Sequence, residues 1–398
     1  MSRGYDRRHG SRDHGDPGIW ANRANRDRNP LVPSFGAATA SKEAERCHGD
    51  ARSAPHVLSR SNRPFALFRQ VRPGESSAMP CGTVFVKKRP LGKTGLFVSE
   101  LALGTWGLSG DGYGAVAPEE AERVVLRALD MGVSLFDTSD AYGAGKTEAL
   151  LGRVLDGREV TVVTRGGIDL TSTPPTQNFA PKYLEAALTR SQKRLRRERI
   201  DLYLLHNPSE ECLRKGEAVR ALEDAVKAGR VAHWGVAVGD TEAARAAIDH
   251  GAEVIELAYN LFHALDLHRL AGEIMVAGVG VLARSTLSYG LLAGLWARDR
   301  GFPVDDHRSE RWTRVELERR IDQLDAIRYL VRGDVQTMRA AAVRFALANH
   351  LVTAAVLGPR SVVQLEQLVR EAGSGPTYIP DHDLAALPRA LSRVGIST

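Results

Sequence analysis

Four residues of types that move protons recur along the chain: Asp137, Tyr142, Arg165 and His206. Asp137 and Tyr142 lie in FDTSDAYG, Arg165 in VVTRGG and His206 in YLLHNPS, each segment opening with a short apolar run. A phenol beside a fixed cation has its phenolate stabilised, so Tyr142 near Arg165 is expected to have a lowered pKa. Asp137 would hold the cation, and His206 would donate a hydrogen bond to a carbonyl oxygen. Such a cluster suits protonation of an oxygen as hydride arrives at its carbon.

These residues are far apart in the chain, so the elements that carry them must bring them together. Eight short apolar runs predict strands: Leu101–Leu103, Ser134–Phe136, Val160–Val163, Asp201–Leu205, His233–Val236, Val254–Leu257, Val279–Ala283 and Ala354–Leu357. Amphipathic stretches such as PEEAERVVLRALDMG, PKYLEAALTRSQKRL, GEAVRALEDAVKAG and TEAARAAIDHG lie between them. Several start with Pro or Thr and end in Gly, as helix ends prefer. Strand–helix alternation implies parallel strands joined by crossover helices. Eight units predict an α/β protein of the (β/α)8 TIM-barrel class, typically of ~250 residues. A doubly wound open sheet is the structural alternative. FVKKRPLGKTGLFVS predicts an N-terminal β-hairpin cap around Gly92-Lys93-Thr94-Gly95. The excess length falls in an insertion at Phe302–Gly333, whose ERWTRVELERRIDQLDAIRYL reads as a charged helix.

In such a barrel, residues just past the C-terminal ends of the strands share one mouth. Read in order, those positions add Gly104-Thr105-Trp106-Gly107, then Asn207, then Gly235-Val236-Ala237-Val238, then Glu256, Tyr259 and Asn260, then Arg284 and Ser285, and finally LGPRSVVQLEQL. Gly145-Lys146-Thr147 imitates the end of a phosphate loop, but Asp140 stands where the first glycine of that motif belongs. The RLRRER run at 194–199 reads as a solvated helix face.

The net charge of +6 would invite a nucleic-acid reading, but residues 1–78 hold 14 basic and 8 acidic residues, which accounts for all of it. The body from residue 79 to 398 is therefore neutral and has no net field for a polyanion. Residues 1–78 are rich in Arg, Ser, Asn, Gly and Pro without helical or strand period, and are expected to be a disordered extension, or to lie upstream of a true start at Met79. They fit neither a secretory signal nor a transit peptide. No stretch approaches the ~20 apolar residues of a membrane helix. The three cysteines, Cys47, Cys81 and Cys212, lack metal-ligand spacing and point to a reducing, cytoplasmic setting.

From about Phe85 to Glu371 the chain resembles the aldo-keto reductases, through PLGKTGLFVSELALGTWG, FDTSDAYGAGKTEALLG, IDLYLLHNPS, AGRVAHWGV, YNL and LLAG. The resemblance implies reduction of an aldehyde or ketone with NADPH, without a metal. It implies catalytic roles for Tyr142 as general acid, His206 as carbonyl-orienting donor and Asp137. Where the family has Lys, this chain has Arg165, whose planar fork pairs carboxylates bidentately and is not equivalent. The cofactor-binding set implied is Gly104, Thr105, Asn207, Glu256, Arg284, Ser285, Leu287, Gly290, Gly358, Arg360 and Gln364. Arg360 would meet the 2′-phosphate of NADP(H), which favours it over NAD(H). Ala237 and Val238 replace the usual amide-binding Ser and Asn, Glu256 replaces Gln, and Gln367 and Leu368 replace the Glu-Asn pair at adenine. Glu256 could simply pair with Arg284 across the mouth. Trp106 and Tyr113 are expected to wall a substrate pocket, with loops Gly107–Ala117, Leu170–Phe179 and Phe302–Arg311 selecting a small-molecule carbonyl substrate. The alternatives are a reductase-fold module that holds the dinucleotide without turnover, and a barrel enzyme with non-redox chemistry.

Overall fold

The computed structural model describes residues 86–397, so the expectations for residues 1–78 and for Met79, Cys47 and Cys81 lie outside the described residues. It opens with an antiparallel hairpin of β1 (Lys88–Pro90) and β2 (Phe97–Ser99), joined by a turn at Gly92–Thr94. The turn carries Gly92 in the left-handed region (φ 52°), and a Cβ there would come within 2.2 Å of the Gly280 backbone nitrogen. Glycine is thus required both by conformation and by close approach. The hairpin closes the N-terminal end of the barrel: Lys93 N–H donates to the Gly278 carbonyl, and Leu91 and Val98 are fully buried.

The chain then alternates as its pattern predicts. β3 (Leu101–Gly104), α1 (Pro118–Asp130), β4 (Leu135–Asp137), α2 (Lys146–Val154) and β5 (Thr161–Gly166) lead to a small ribbon of β6 (Ile168–Asp169) and β7 (Thr176–Gln177). Next come α3 (Pro181–Leu195), β8 (Ile200–His206), α4 (Glu210–Lys215), α5 (Glu217–Lys227), β9 (Val231–Ala237), α6 (Thr241–Asp249) and β10 (Val254–Ala258). The remainder is α7 (Leu265–Arg269), α8 (Ala271–Ala277), β11 (Gly280–Arg284), α9 (Arg314–Asp325), α10 (Met338–Ala348), β12 (Val352–Leu357), α11 (Val362–Ala372) and α12 (Asp381–Ser392). The eight long strands form a closed parallel barrel, β3-β4-β5-β8-β9-β10-β11-β12, and not the open sheet held as the alternative.

Helix ends follow local chemistry. α1 and α3 begin with Pro, which loses nothing where the N–H has no partner in the helix. α6 is capped by Asp240, α10 by Thr337 and α11 by Ser361, each accepting from a backbone N–H of the first turn. α9, the helix of the insertion, has a reciprocal capping box between Thr313 and Glu316. α12 lies past the last predicted strand and its flanking motif. It docks through Leu387 and Leu391, and Arg332 pairs with its Asp383. Among the described residues no helix is long and apolar enough to cross a membrane.

Two apolar layers hold the body together. The larger one lies between barrel and helices. The smaller fills the barrel interior with Leu91, Val98, Ala102, Leu135, Val163, Leu202, Leu204, Val254, Leu282 and Ala354. Side chains alternate along a strand, so the residue two places after an inward one also points inward. Two places beyond Leu135, Val163, Leu204, Val254 and Leu282 stand Asp137, Arg165, His206, Glu256 and Arg284. Strand period alone thus lays a polar layer directly over the apolar one.

Candidate active site

That polar layer floors a cleft of about 480 Å³ at the C-terminal mouth, within the ~300–1,000 Å³ range of cofactor and ligand sites. Asp137, Tyr142, Arg165 and His206 all line it, so the four residues that opened the sequence argument meet at one place. Of the cofactor set, Gly104, Asn207, Glu256, Arg284, Ser285, Leu287, Gly290, Gly358, Arg360 and Gln364 line it too. Trp106 and Tyr113 form one wall, with ring centroids 5.1 Å apart in an edge-to-face contact.

Thr105 does not reach the cleft. Its buried hydroxyl lies 3.0 Å from the Asp137 carbonyl and 2.9 Å from Thr138 Oγ1, tying the ends of β3 and β4 together. A threonine hydroxyl that already has two partners in the wall has no reason to turn outward. The loop Leu170–Phe179 likewise contributes no lining residue. It folds into the β6–β7 ribbon, and Gln177 Nε2 donates to the Asn207 carbonyl from outside.

Arg165 is almost completely buried and every arm of its guanidinium is engaged. Nε donates to the Thr138 carbonyl at 3.2 Å and Nη1 to Glu256 Oε1 at 2.9 Å. Nη2 pairs with Asp137 Oδ2 and lies 2.8 Å from Glu256 Oε2. Glu256 therefore pairs with Arg165 and not with Arg284. The register explains this: Arg284 sits beside Ala258, one inward step above Glu256, and its Nη2 turns to the Val238 carbonyl at 2.9 Å. Two carboxyl groups share one cation. Burial, and then the neighbouring Glu256 charge working against the pull of Arg165, hold the Asp137 carboxyl well above its usual range.

Tyr142 also departs from expectation. Its pKa is raised and not lowered, because burial of the phenolate outweighs attraction to Arg165, and the charges of Asp137 and Glu256 oppose that attraction. The guanidinium carbon lies 5.9 Å from the Tyr142 ring centroid, over the ring. None of its N–H groups donates to the Tyr142 hydroxyl. The His206 ring meets the Tyr142 ring edge-to-face at 6.1 Å. His206 is held neutral: burial, then the charges of Arg165 and Arg284, lower its pKa well below the ordinary value.

At the other end of the cleft, Arg360 donates to the carbonyls of Gly107, Gly114 and Ala115, and its backbone N–H is accepted by Gln364 Oε1. The guanidinium expected to face a 2′-phosphate is thus bonded to the loop after β3. The segment after β11 lines the cleft as well and touches the loop after β3. His307 N–H donates to the Gly112 carbonyl, and Arg308, chelated by Asp306, packs against the rings of Tyr113, Trp296 and Phe302.

Several residues of this site carry no signal that sequence reasoning used. Tyr289 and Trp296 line the cleft from the stretch between β11 and the insertion, whereas Arg308 lies in the Phe302–Arg311 loop expected to select substrate. Ser139 and Asp140 lie behind His206, and only the observation that three consecutive polar residues at 138–140 are all buried singles them out. Backbone strain gathers here: Ala144, Asn207, Ser285, Ser288 and Tyr289 all have positive φ without being glycine. Such conformations persist where surrounding structure over-determines them, as at functional sites.

A model of the Aldo/keto reductase family matches residues 100–374. The L-glyceraldehyde 3-phosphate reductase of Escherichia coli (strain K12) is 28% identical over 305 residues, which span 71% of this chain and 86% of that protein. Among solved structures, the chain is similar to a glycerol dehydrogenase from Gluconobacter oxydans, with TM-score 0.67 and 26% identity over 79% of this chain and 96% of that one. An aldo-keto reductase from Bacillus halodurans in its holo form has the same fold, with TM-score 0.65 and 21% identity over 79% and 97% of the two chains.

Proposed function

The chain belongs to the aldo/keto reductase family and is an NAD(P)-dependent oxidoreductase, and we propose on that premise that it reduces the carbonyl group of a small molecule to an alcohol with NADPH. The convergence of Tyr142 and His206 over the buried Arg165 pair carries this reading. The family typically uses NADP(H), which when bound supplies hydride to a carbonyl carbon. The donor set suits such a cofactor in part. Gly104, Gly290 and Gly358 leave backbone bare along the cleft, and Asn207 Oδ1 is buried there without a hydrogen-bond partner, an acceptor fit for an amide N–H. Ala237 and Val238 supply no such side-chain group. Arg360 has no carboxylate within ion-pair distance among the described residues, so its charge remains for a 2′-phosphate although its donors are engaged; on that ground we favour NADPH over NADH.

In this reading Tyr142 stays protonated at neutral pH and gives its proton to the carbonyl oxygen. His206, neutral, donates to the same oxygen and fixes its direction. Asp137 and Glu256 hold Arg165 still beneath the phenol, and Trp106 and Tyr113 keep water from the carbonyl. A second reading has a specific observation in its favour. Because no arm of Arg165 bonds the Tyr142 hydroxyl, the site would bind the cofactor with little turnover. NADPH oxidation against a panel of small aldehydes, ketones and quinones separates the two. Consumption that Tyr142→Phe abolishes supports the reductase; tight NADPH binding without consumption supports the module. We infer a cytoplasmic setting from the sparse cysteines alone.

A further inference from the structure

His206 can donate to a substrate oxygen from Nε2 only if Nδ1 is bare, because a neutral imidazole carries one proton. The group facing Nδ1 is Ser139 Oγ, at 3.2 Å. That hydroxyl also has one proton and two other acceptors in reach, Asp140 Oδ1 at 3.4 Å and the Arg165 carbonyl at 3.3 Å. It already accepts from the Ala141 N–H at 3.2 Å. Ser139 is fully buried and Asp140 nearly so, so water does not arbitrate the contest. We propose that Ser139 sets the tautomer of His206 and that the ionisation of Asp140 decides which way Ser139 points, making both of them positioning residues for the carbonyl. The inference rests on the reading of His206 as the carbonyl-orienting donor.

Two arrangements of the chain are self-consistent. With Asp140 protonated, its O–H donates to Ser139 Oγ, Ser139 donates to His206 Nδ1, and Nε2–H faces the cleft. With Asp140 ionised, its carboxylate accepts a hydrogen bond from the Ser139 hydroxyl, Nδ1–H donates to Ser139 Oγ, and Nε2 is bare. Passing from the first to the second releases one proton to solvent and moves the imidazole proton from Nε2 to Nδ1; His206 is neutral in both.

The surroundings poise this equilibrium near neutrality. Burial, and then the charge of Glu148 on α2, push the Asp140 carboxyl up to about 7, with Arg194 and Arg190 on α3 pulling the other way. Glu148 is itself engaged by the Thr164 hydroxyl and by Arg194, both at 2.6 Å. Tyr183 on α3 and Tyr203 on β8 also feel the charge of Asp140, and burial raises the pKa of both. Burial, and then the charges of Arg165 and Arg284, keep His206 uncharged.

Nitrogen NMR of the full chain with isotope-labelled histidine reads the tautomer directly, and His206→Asn assigns the signal. In the wild type the protonated nitrogen should change from Nε2 to Nδ1 as pH rises through about 7. Asp140→Asn, whose amide does not ionise, should hold the His206 tautomer fixed across that range. Ser139→Ala should uncouple the tautomer from pH. In turnover, the wild type should lose kcat/KM above that pH while Asp140→Asn stays flat, and Ser139→Ala should lose about tenfold, the worth of one hydrogen bond to a reacting group. A wild-type tautomer that ignores pH, or one that switches equally in Asp140→Asn, overturns the proposal. If the tautomer switches as stated but no carbonyl compound is reduced, the relay stands and the reductase reading fails.

Discussion

At the N-terminal end of the barrel the interior is filled by Leu91, Val98, Leu135, Val163, Leu202 and Leu204, whereas at the C-terminal end the same strands turn Asp137, Arg165, Glu256 and His206 inward. Both layers are largely buried, His206 at the mouth being half-buried. In the lower one burial is the driving force, at ~25 cal/mol per Å² of apolar surface. In the upper one burial is a cost: a guanidinium and two carboxyl groups leave water, and their mutual attraction offsets that only partly. The difference teaches where stability and chemistry reside. The lower layer holds the strands in register, and the upper layer uses that rigidity to keep groups in protonation states they would not hold in water.

The sharpest way to break this division is Tyr142→Phe. It should lower kcat by roughly 1,000-fold, as removal of a general acid does, while melting temperature and NADPH binding stay where they were; an unchanged kcat would remove Tyr142 from the chemistry. Leu202→Ala is its counterpart below. A fully buried leucine cut to alanine leaves a cavity costing ~2–5 kcal/mol, so denaturant unfolding should shift by that much with kcat of the folded protein intact. A large loss of kcat instead would mean that the two layers are not separable.

Next in size is the Arg165 and Glu256 pair. Arg165→Lys alone strands a buried carboxyl group, since an ammonium cannot span both partners. Glu256→Gln alone removes one of the two carboxyl groups that pair with Arg165. The double variant should recover much of what either single loses in kcat/KM, with a coupling of ~1–3 kcal/mol in the cycle; strict additivity would show that the two residues act independently. The smallest effect is one of pH. Alcohol oxidation needs Tyr142 as phenolate, and burial raises its pKa, so in Asp140→Asn, where the His206 tautomer no longer follows pH, the oxidation rate should climb with pH and still be rising at about 10, where free tyrosine titrates. A plateau near neutrality would mean that Arg165 does lower the phenol after all.

Much of this was legible in the residues. Eight apolar runs separated by capped amphipathic helices announce a barrel, since strand and helix periods and end preferences are local properties. The positions of Asp137, Tyr142 and His206 follow from the rule that loops after parallel strands share one mouth. The partner of Glu256 was not legible. Arg165 and Glu256 are 91 residues apart, on β5 and β10, across the barrel interior, and which inward layers face each other depends on the accumulated stagger of all the strands between them. The surroundings of Arg360 were hidden for a related reason: its type suits a phosphate, but that three carbonyls of the loop after β3 lie within its reach is decided by the fold.

What the amino-acid sequence by itself determined is the barrel, the alternation that stacks a polar layer on an apolar one, and the kinds of group at the mouth, because each of these is written in spacings of two to about four residues. The tertiary structure alone decided the charge states. Tyr142 is harder to ionise than its neighbouring cation suggests, Asp137 is easier to protonate, and His206 is neutral. Each outcome is a balance between desolvation and the sum of all nearby charges, and both terms exist only once distant strands have closed around the residue.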